Sequence, residues 1–311
     1  LLASLLVIYL SYIIGKPSQK HGIPFPVFLR VSTGYQGARF ISLIRGLVGI
    51  FFFGVQTYFI SKSIGYLIRI SLFSIDNTFL DKEIFTLFFY GLNIIDWFSF
   101  LFAIFFQIYL FRKGQIFNKI IINISAIFVY IGLILFCVII ASTNLAEVVN
   151  SFKDLLVFDN VISKSNISPF LTVFGTMFAY FAIIIVNFGD FSRFVKNENE
   201  LKKGNLSLLI NLILFSIFAI FIVIGADIIL NKNLHVMDRI LVSPTDIIGK
   251  FDNIFLSIVA LFFILFATAS TNLIANFIPS QNCLINLMPN KLSSTSSGVI
   301  IGILGFFIGA L

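Results

Sequence analysis

The stretch "FFFGVQTYF" (Phe51–Phe59) holds one amide, Gln56, in an otherwise apolar helix-length run. An unpaired amide in hydrocarbon costs about 4–8 kcal/mol relative to water. Gln56 follows Phe52 by four residues, so in a helix the ring and the amide share one face. Arg45 is expected to snorkel to the membrane interface. The eleven residues from Arg45 to Gln56 rise about 16 Å, which reaches the middle of a ~30 Å hydrocarbon core. The same ruler places Phe181, twelve residues before Arg193, about 18 Å deep. Two aromatic rings and an amide at mid-depth can form a stacking slot with a hydrogen-bonding edge, which a flat heterocycle fits. A second reading uses the same residues. A mid-membrane glutamine also bonds a neighbouring helix, for about 0.6–2 kcal/mol, with both phenylalanines as ordinary packing.

Other chemistry has little support. Cys137 lies in an apolar run and Cys283 near a loop, with no disulfide framework and no metal spacing. The two histidines, His21 and His235, are far apart in sequence and both read as loop residues. The chain has no HExxH, Walker loop, GxSxG or paired-aspartate motif. These patterns point away from an enzyme and from any bound cofactor.

The elements that must position Gln56 are membrane helices. The 311 residues are 59% hydrophobic and 11% charged, against about 25% charged in soluble domains. An aqueous core cannot bury that share of apolar surface, so the expected class is an all-α polytopic membrane protein. The 41 phenylalanines read mostly as lipid-facing filler. A span needs about 20 apolar residues. Six such runs fall at Phe40–Ile60, Ile94–Phe111, Ile120–Ala141, Pro169–Asn187, Leu206–Leu230 and Phe255–Ile278. Partial runs at Leu1–Gly15 and Gly298–Leu311 bring the total to eight, and Ile64–Phe73 is expected to prolong the preceding helix. The chain opens and closes inside apolar runs, so the expectation is a single transmembrane domain over 1–311, truncated at both ends.

Lys and Arg in alternate loops set the expected orientation. Thirteen of them fall on the side that carries "HGIPFPVFLR" and eight on the other, which makes the first side cytoplasmic. The eight include Arg239 and Lys250, and the net charge of +7 follows from the same bias. No basic patch is interleaved with exposed aromatics, so nucleic acid is not an expected partner. The expected surroundings are a lipid bilayer, as a multi-pass protein of a bacterial inner membrane.

Three separated blocks carry a resemblance. They are "HGIPFPVFLRVSTGYQGARFISLIRGLVGIFFFGVQT", "NFGDFSRF" (Asn187–Phe194) and "ATASTNLIANFIPSQNCLINLMPNKL" (Ala267–Leu292). In this order they resemble the signature of the nucleobase:cation symporter-1 family, the purine, cytosine, uracil, allantoin and hydantoin permeases. The resemblance implies a LeuT-type fold of two inverted five-helix repeats, covered here from about the second to the ninth helix. It implies substrate and cation sites at mid-membrane where the repeats meet. Gln56 then matches the substrate-binding amide, and Phe52 and Phe181 match two stacking aromatics that are usually Trp. Asn276 matches a substrate-binding Asn, and Ala267, Ser270 and Thr271 match the sodium ligands of sodium-coupled members. Locally, i, i+3, i+4 spacing puts those three on one face, with oxygens suited to a hard cation. Ser and Thr in membrane helices also commonly bond back to a carbonyl. On a regular helix Asn276 sits about 140° around from Thr271, five residues at about 100° each, and near the cytoplasmic end.

The resemblance implies a secondary active transporter that imports a small planar nitrogen heterocycle by alternating access, coupled to a cation, with Na+ expected. The segments "GKPSQKHGIPFP" and "GDFSRFVKNENELKKG" read as loops at the cytoplasmic mouth. Proton coupling is one rival and needs an ionisable group within the membrane. Asp96 and Asp227 sit near helix ends on the outer side and fit that role poorly. A receptor or scaffold of the same fold that does not transport is a second rival, and a channel, the third, is discounted because no polar face runs the length of any helix.

Overall fold

The structure, a computed structural model, describes residues 2–155, 164–234 and 254–310. His235, Arg239 and Lys250 lie outside the described residues. The chain divides into two compact units, each made of two separated stretches: Leu1–Ala38 with Leu133–Leu241, and Arg39–Gly132 with Val242–Leu311.

In the first unit, α1 (Leu2–His21) packs on α6 (Lys164–Asn187), α7 (Gly189–Ser192) and α8 (Glu198–Leu234). Its buried face is a row of small residues: Ala3, Ser4, Val7, Ser11, Gly15 and Ser18. Such residues let membrane helices approach closely. A Cβ on Gly15 would lie 2.6 Å from the Phe188 ring, so glycine is what allows α1 and the α6–α7 corner to meet. Val7, Phe181 and Ile185 form the core of this packing. The helix runs through Pro17 to His21, so "GKPSQKH" is helical where a loop was expected. Proline removes one helical bond, but tertiary packing tolerates this in membrane helices. The "GDFSRFVKNENELKKG" segment is likewise mostly helix, as α7 and the start of α8.

The two motifs of this unit are joined. The Phe25 N–H, in the GIPFP block, donates to Asp190 Oδ1 of NFGDFSRF at 3.1 Å. Asp190 is 1% exposed, and its carboxylate sits at the N-terminus of α2 (Phe25–Ile75), where helix dipole and orphan donors favour an anion. Ser192 Oγ donates to the Gly15 carbonyl at 2.9 Å. Glu198 accepts from Tyr12 and pairs with Lys16 at 3.0 Å and Lys202 at 3.2 Å.

The helix α2 is broken at Gly34, whose φ of 69° and ψ of 179° suit only glycine. Beyond this break it runs unbroken to Ile75, so Ile64–Phe73 does prolong the Phe40–Ile60 span. A short 3-10 turn (Phe79–Asp81), α3 (Glu83–Thr86) and a two-stranded hairpin (Phe88–Phe89 with Leu92–Asn93) lead into α4 (Ile94–Phe111). Asn93 and Asp96 close α4 with a capping box. Asp96 also pairs with Arg69 at 3.0 Å and Lys62 at 3.7 Å.

The second unit is completed by the first part of α5 (Gln115–Leu155), α9 (Ile254–Thr271), α10 (Ile278–Leu287) and α11 (Ser294–Ala310). Its core joins Ile50, Phe53, Phe111, Leu273, Phe277 and Ile301. The Phe277 ring lies 5.9 Å from that of Phe53 and 5.1 Å from that of Phe111. Between α9 and α10 the helix continues as a π-helix over Asn272–Phe277.

Six helical segments are long and apolar enough to span a membrane among the described residues. They correspond one for one to the six whole runs of the sequence, and the helices α1 and α11 take up the two partial ones.

Candidate functional site

The π-helix carries the polar centre of the second unit. An i→i+5 turn holds one more residue than an α-turn, so each residue advances by less than the ~100° of a regular helix. The 140° offset expected between Thr271 and Asn276 therefore shrinks. Asn272 and Asn276 lie on the same side, and Asn276 Nδ2 donates to Asn272 Oδ1 at 2.9 Å. Its second proton goes to Gln56 Oε1 on α2, at 3.0 Å. Two expected substrate residues, 220 positions apart in sequence, are thus in contact.

Behind this pair the network continues. The two protons of Asn272 Nδ2 are shared among Gln107 Oε1 of α4 at 2.9 Å, Thr57 Oγ1 at 3.2 Å and the Phe53 carbonyl at 3.3 Å. Gln107 Nε2 donates to Thr57 Oγ1 at 3.0 Å and to the Ala103 carbonyl at 3.2 Å. Thr57 donates to the Phe53 carbonyl at 2.7 Å. Thr57, Gln107, Asn272 and Asn276 are all nearly fully buried. Buried amides this well satisfied rigidify a site. Gln56 itself is half-buried, and its Nε2 is left without a hydrogen bond among the described residues, as is Asn276 Oδ1. One donor group and one acceptor therefore remain on two hydrogen-bonded side chains. Phe52, one turn before Gln56, is 38% exposed, so its ring is open to a partner.

Arg45 is not an interface anchor. It is buried, and its Nη2 donates to the Ala275 carbonyl at 2.8 Å. That carbonyl lies within the π-helix, where the regular bonding ladder is disturbed. The sequence ruler that placed Gln56 at mid-depth thus started from an arginine that props the site instead of marking the membrane surface. Gly49 makes this approach possible, because a Cβ there would overlap the Ser280 hydroxyl and lie 3.2 Å from the Asn276 carbonyl oxygen.

The three expected cation ligands lie together at the end of α9. Ser270 Oγ donates to the Ala267 carbonyl at 3.0 Å and Thr271 Oγ1 to the same oxygen at 2.9 Å. This is the back-bonding common for hydroxyls in membrane helices. With their protons turned to Ala267, the two hydroxyl oxygens keep lone pairs for a cation. The Ala267 carbonyl already accepts twice and is the weaker ligand of the three. Phe181 belongs to the first unit, where it is 8% exposed and packs with Val7 and Ile185. Asp96 is held by two cations and a cap, as its place near a helix end suggested.

Four residues of the network were missed from sequence: Thr57, Gln107, Asn272 and the propping Arg45. Gln107 in "AIFFQIYLF" is an intramembrane amide like Gln56 and carried the same signal. Asn272 and Asn276 stand four apart in "TNLIAN", but the regular-helix ruler turned attention from them.

A bundle of long apolar helices, with a buried amide network at a distorted helix, defines an integral multi-pass membrane protein. Its backbone resembles that of Mhp1, a nucleobase-cation-symport-1 family transporter solved in a closed conformation with bromovinylhydantoin bound. The TM-score is 0.72 at 16% identity, over 99% of this chain and 62% of that one, so the fold is the LeuT-like one. Residues 1–311 match the family described as permease for cytosine/purines, uracil, thiamine, allantoin. The chain belongs to this family, the nucleobase:cation symporters that its sequence blocks resemble. It is 28% identical over 301 residues to a putative allantoin permease of Escherichia coli (strain K12), covering 94% of this chain and 58% of that one. It is 23% identical over 309 residues to the allantoin permease of Bacillus subtilis (strain 168), covering 98% and 59%. It is 24% identical over 312 residues to a purine-uracil permease of Arabidopsis thaliana, covering 97% and 48%. These relatives are permeases, not enzymes. The chain spans about half to three-fifths of their length.

Proposed function

We propose that the protein is a secondary active transporter that carries a small planar nitrogen heterocycle of the nucleobase, hydantoin or allantoin type. The observation that carries this reading is the Gln56–Asn276 pair, with the Gln56 amide NH2 and the Asn276 amide C=O left over one helical turn from the partly exposed Phe52. A lactam or ureide edge offers the complementary C=O and N–H, and its ring offers a flat face to Phe52. Desolvated hydrogen bonds of this kind discriminate strongly, because an analogue without them leaves buried groups unpaired. The allantoin and purine-uracil permeases among the relatives, and the hydantoin bound to Mhp1, support the substrate class.

The coupling ion is Na+, held by Ser270 and Thr271 with help from Ala267. It drives uptake only by binding one conformation better than the other. Asp96, the carboxylate considered for proton coupling, is engaged in ion pairs with Arg69 and Lys62. The location is the plasma membrane, the inner membrane in a bacterium, with the Arg- and Lys-rich side inward.

Uptake of labelled hydantoin, allantoin and uracil into vesicles, with and without a sodium gradient, tests the reading. Sodium-stimulated uptake of one of these supports it. Uptake driven by pH and indifferent to sodium overturns the cation site. Binding without any uptake overturns transport and leaves a receptor.

A further inference from the structure

The leftover donor and acceptor at Gln56 and Asn276 have a fixed sense, and its origin lies three side chains away. Backbone carbonyls only accept. The Ala103 carbonyl therefore faces Gln107 Nε2, at 3.2 Å, and the Phe53 carbonyl faces Asn272 Nδ2, at 3.3 Å. Thr57 spends its own proton on the Phe53 carbonyl, so its oxygen accepts from both amides. With both nitrogens fixed, Gln107 Oε1 receives Asn272 Nδ2 and Asn272 Oδ1 receives Asn276 Nδ2. Asn276 Nδ2 then has one proton for Gln56 Oε1. What remains is Gln56 as the donor and Asn276 as the acceptor, never the reverse.

We propose that Gln107, Asn272 and Thr57 are positioning residues that set the direction in which the site reads a substrate's amide edge. The substrate's C=O goes to Gln56 Nε2 and its N–H to Asn276 Oδ1, so a ring with one such edge binds in one orientation. This rests on the substrate reading above and deepens it. An isolated Gln56–Asn276 pair lacks this property. Either amide can then turn over, since Gln56 donating to Asn276 is as good a bond as the converse. A site freed in this way accepts the same ring flipped about its own plane.

Two isomeric lactams separate the cases. In 3-methyl-2-pyridone the methyl group flanks the C=O, and in 6-methyl-2-pyridone it flanks the N–H. Both present a single N–H/C=O edge. In a site of fixed sense one methyl always falls at the Gln56 end and the other at the Asn276 end. A misplaced methyl group costs about tenfold or more in affinity, so wild-type protein is expected to prefer one isomer by about that factor. Asn272→Leu is expected to bring the ratio to within about twofold. Replacing both partners by apolar groups leaves fewer orphaned amides than replacing one, so Asn272→Leu with Gln107→Leu is the variant expected to fold if the single one does not. The ratio is read by competition against a labelled hydantoin on detergent-solubilised protein. Equal affinities in the wild type, or a ratio unchanged in a folded variant, overturn the fixed sense while leaving the binding site in place. No binding of the hydantoin or either pyridone by wild-type protein overturns the substrate reading itself. General damage to the fold lowers both affinities and leaves their ratio unchanged.

Discussion

Asn276 and Gln56 are hydrogen-bonded at 3.0 Å between a π-helical turn and the middle of α2. The bond leaves each side chain with one unused polar function of opposite kind. This explains how a glutamine persists in a phenylalanine-rich helix. One end is paired within the protein, and the other end of this half-buried side chain has no hydrogen bond among the described residues.

The ring of Phe52 is predicted to stack on the substrate. Phe52→Leu removes the π-face while keeping apolar bulk, and is expected to weaken binding of a planar ring by about 0.5–1.5 kcal/mol. Phe52→Trp is expected to hold or improve it. Equilibrium binding of a labelled hydantoin to both variants checks this; equal affinity for Phe52→Leu and wild type would remove the ring from the site.

Ser270 and Thr271 are predicted to carry the sodium response. Ser270→Ala and Thr271→Val each delete one hydroxyl oxygen and are expected to raise the sodium concentration needed for half-maximal uptake several-fold. Back-bonding to Ala267 is lost as well, but it is a local helical contact with little bearing on ion dependence. Sodium titrations of uptake that overlay wild type would rule these residues out as ligands.

Asp190 is predicted to be a structural clamp. Its carboxylate accepts the Phe25 N–H in a buried setting, and hydrogen bonds to charged groups contribute about 1.5–3 kcal/mol. Asp190→Ala should lower the midpoint of thermal unfolding in detergent, and Asp190→Asn, which keeps an acceptor, should lower it less. Identical unfolding of Asp190→Ala and wild type would contradict the clamp.

Gly49 is predicted to be intolerant of any side chain. A Cβ there meets Ser280, Arg45 and the Asn276 carbonyl, and overpacking costs about 1–3 kcal/mol. Gly49→Ala should therefore reduce both thermal stability and hydantoin affinity, because the π-helix is what it displaces. Retained affinity with lowered stability would show that the π-helix is not the part that yields.

Much of this organisation was legible in the sequence because membrane helices announce themselves by length and hydropathy. Each of the six whole runs is a helix, and the continuation of Phe40–Ile60 through Ile64–Phe73 follows from its apolar character. Gln56 was legible because an amide is conspicuous among phenylalanines. Its partner was less so. The placement of Asn276 by a regular-helix ruler assumed 3.6 residues per turn, and the π-helix over Asn272–Phe277 breaks that assumption. Nothing in "TNLIANF" marks a π-turn locally; it is stabilised by contacts such as Arg45 with Ala275, made across 230 residues. Arg45 misled for a related reason. A charged residue near a helix end usually snorkels, and only the neighbouring carbonyl reveals why this one turns inward.

The central claim is that Gln56 reads the edge of a planar heterocycle. Its most direct measurement is binding of a labelled hydantoin or allantoin to purified wild-type protein and to Gln56→Ala, with thermal unfolding measured alongside. The predicted result is saturable binding by wild type, a loss of at least tenfold in the variant, and an unfolding midpoint little changed. Equal binding by the two proteins would contradict the claim and leave Gln56 as a helix-packing residue.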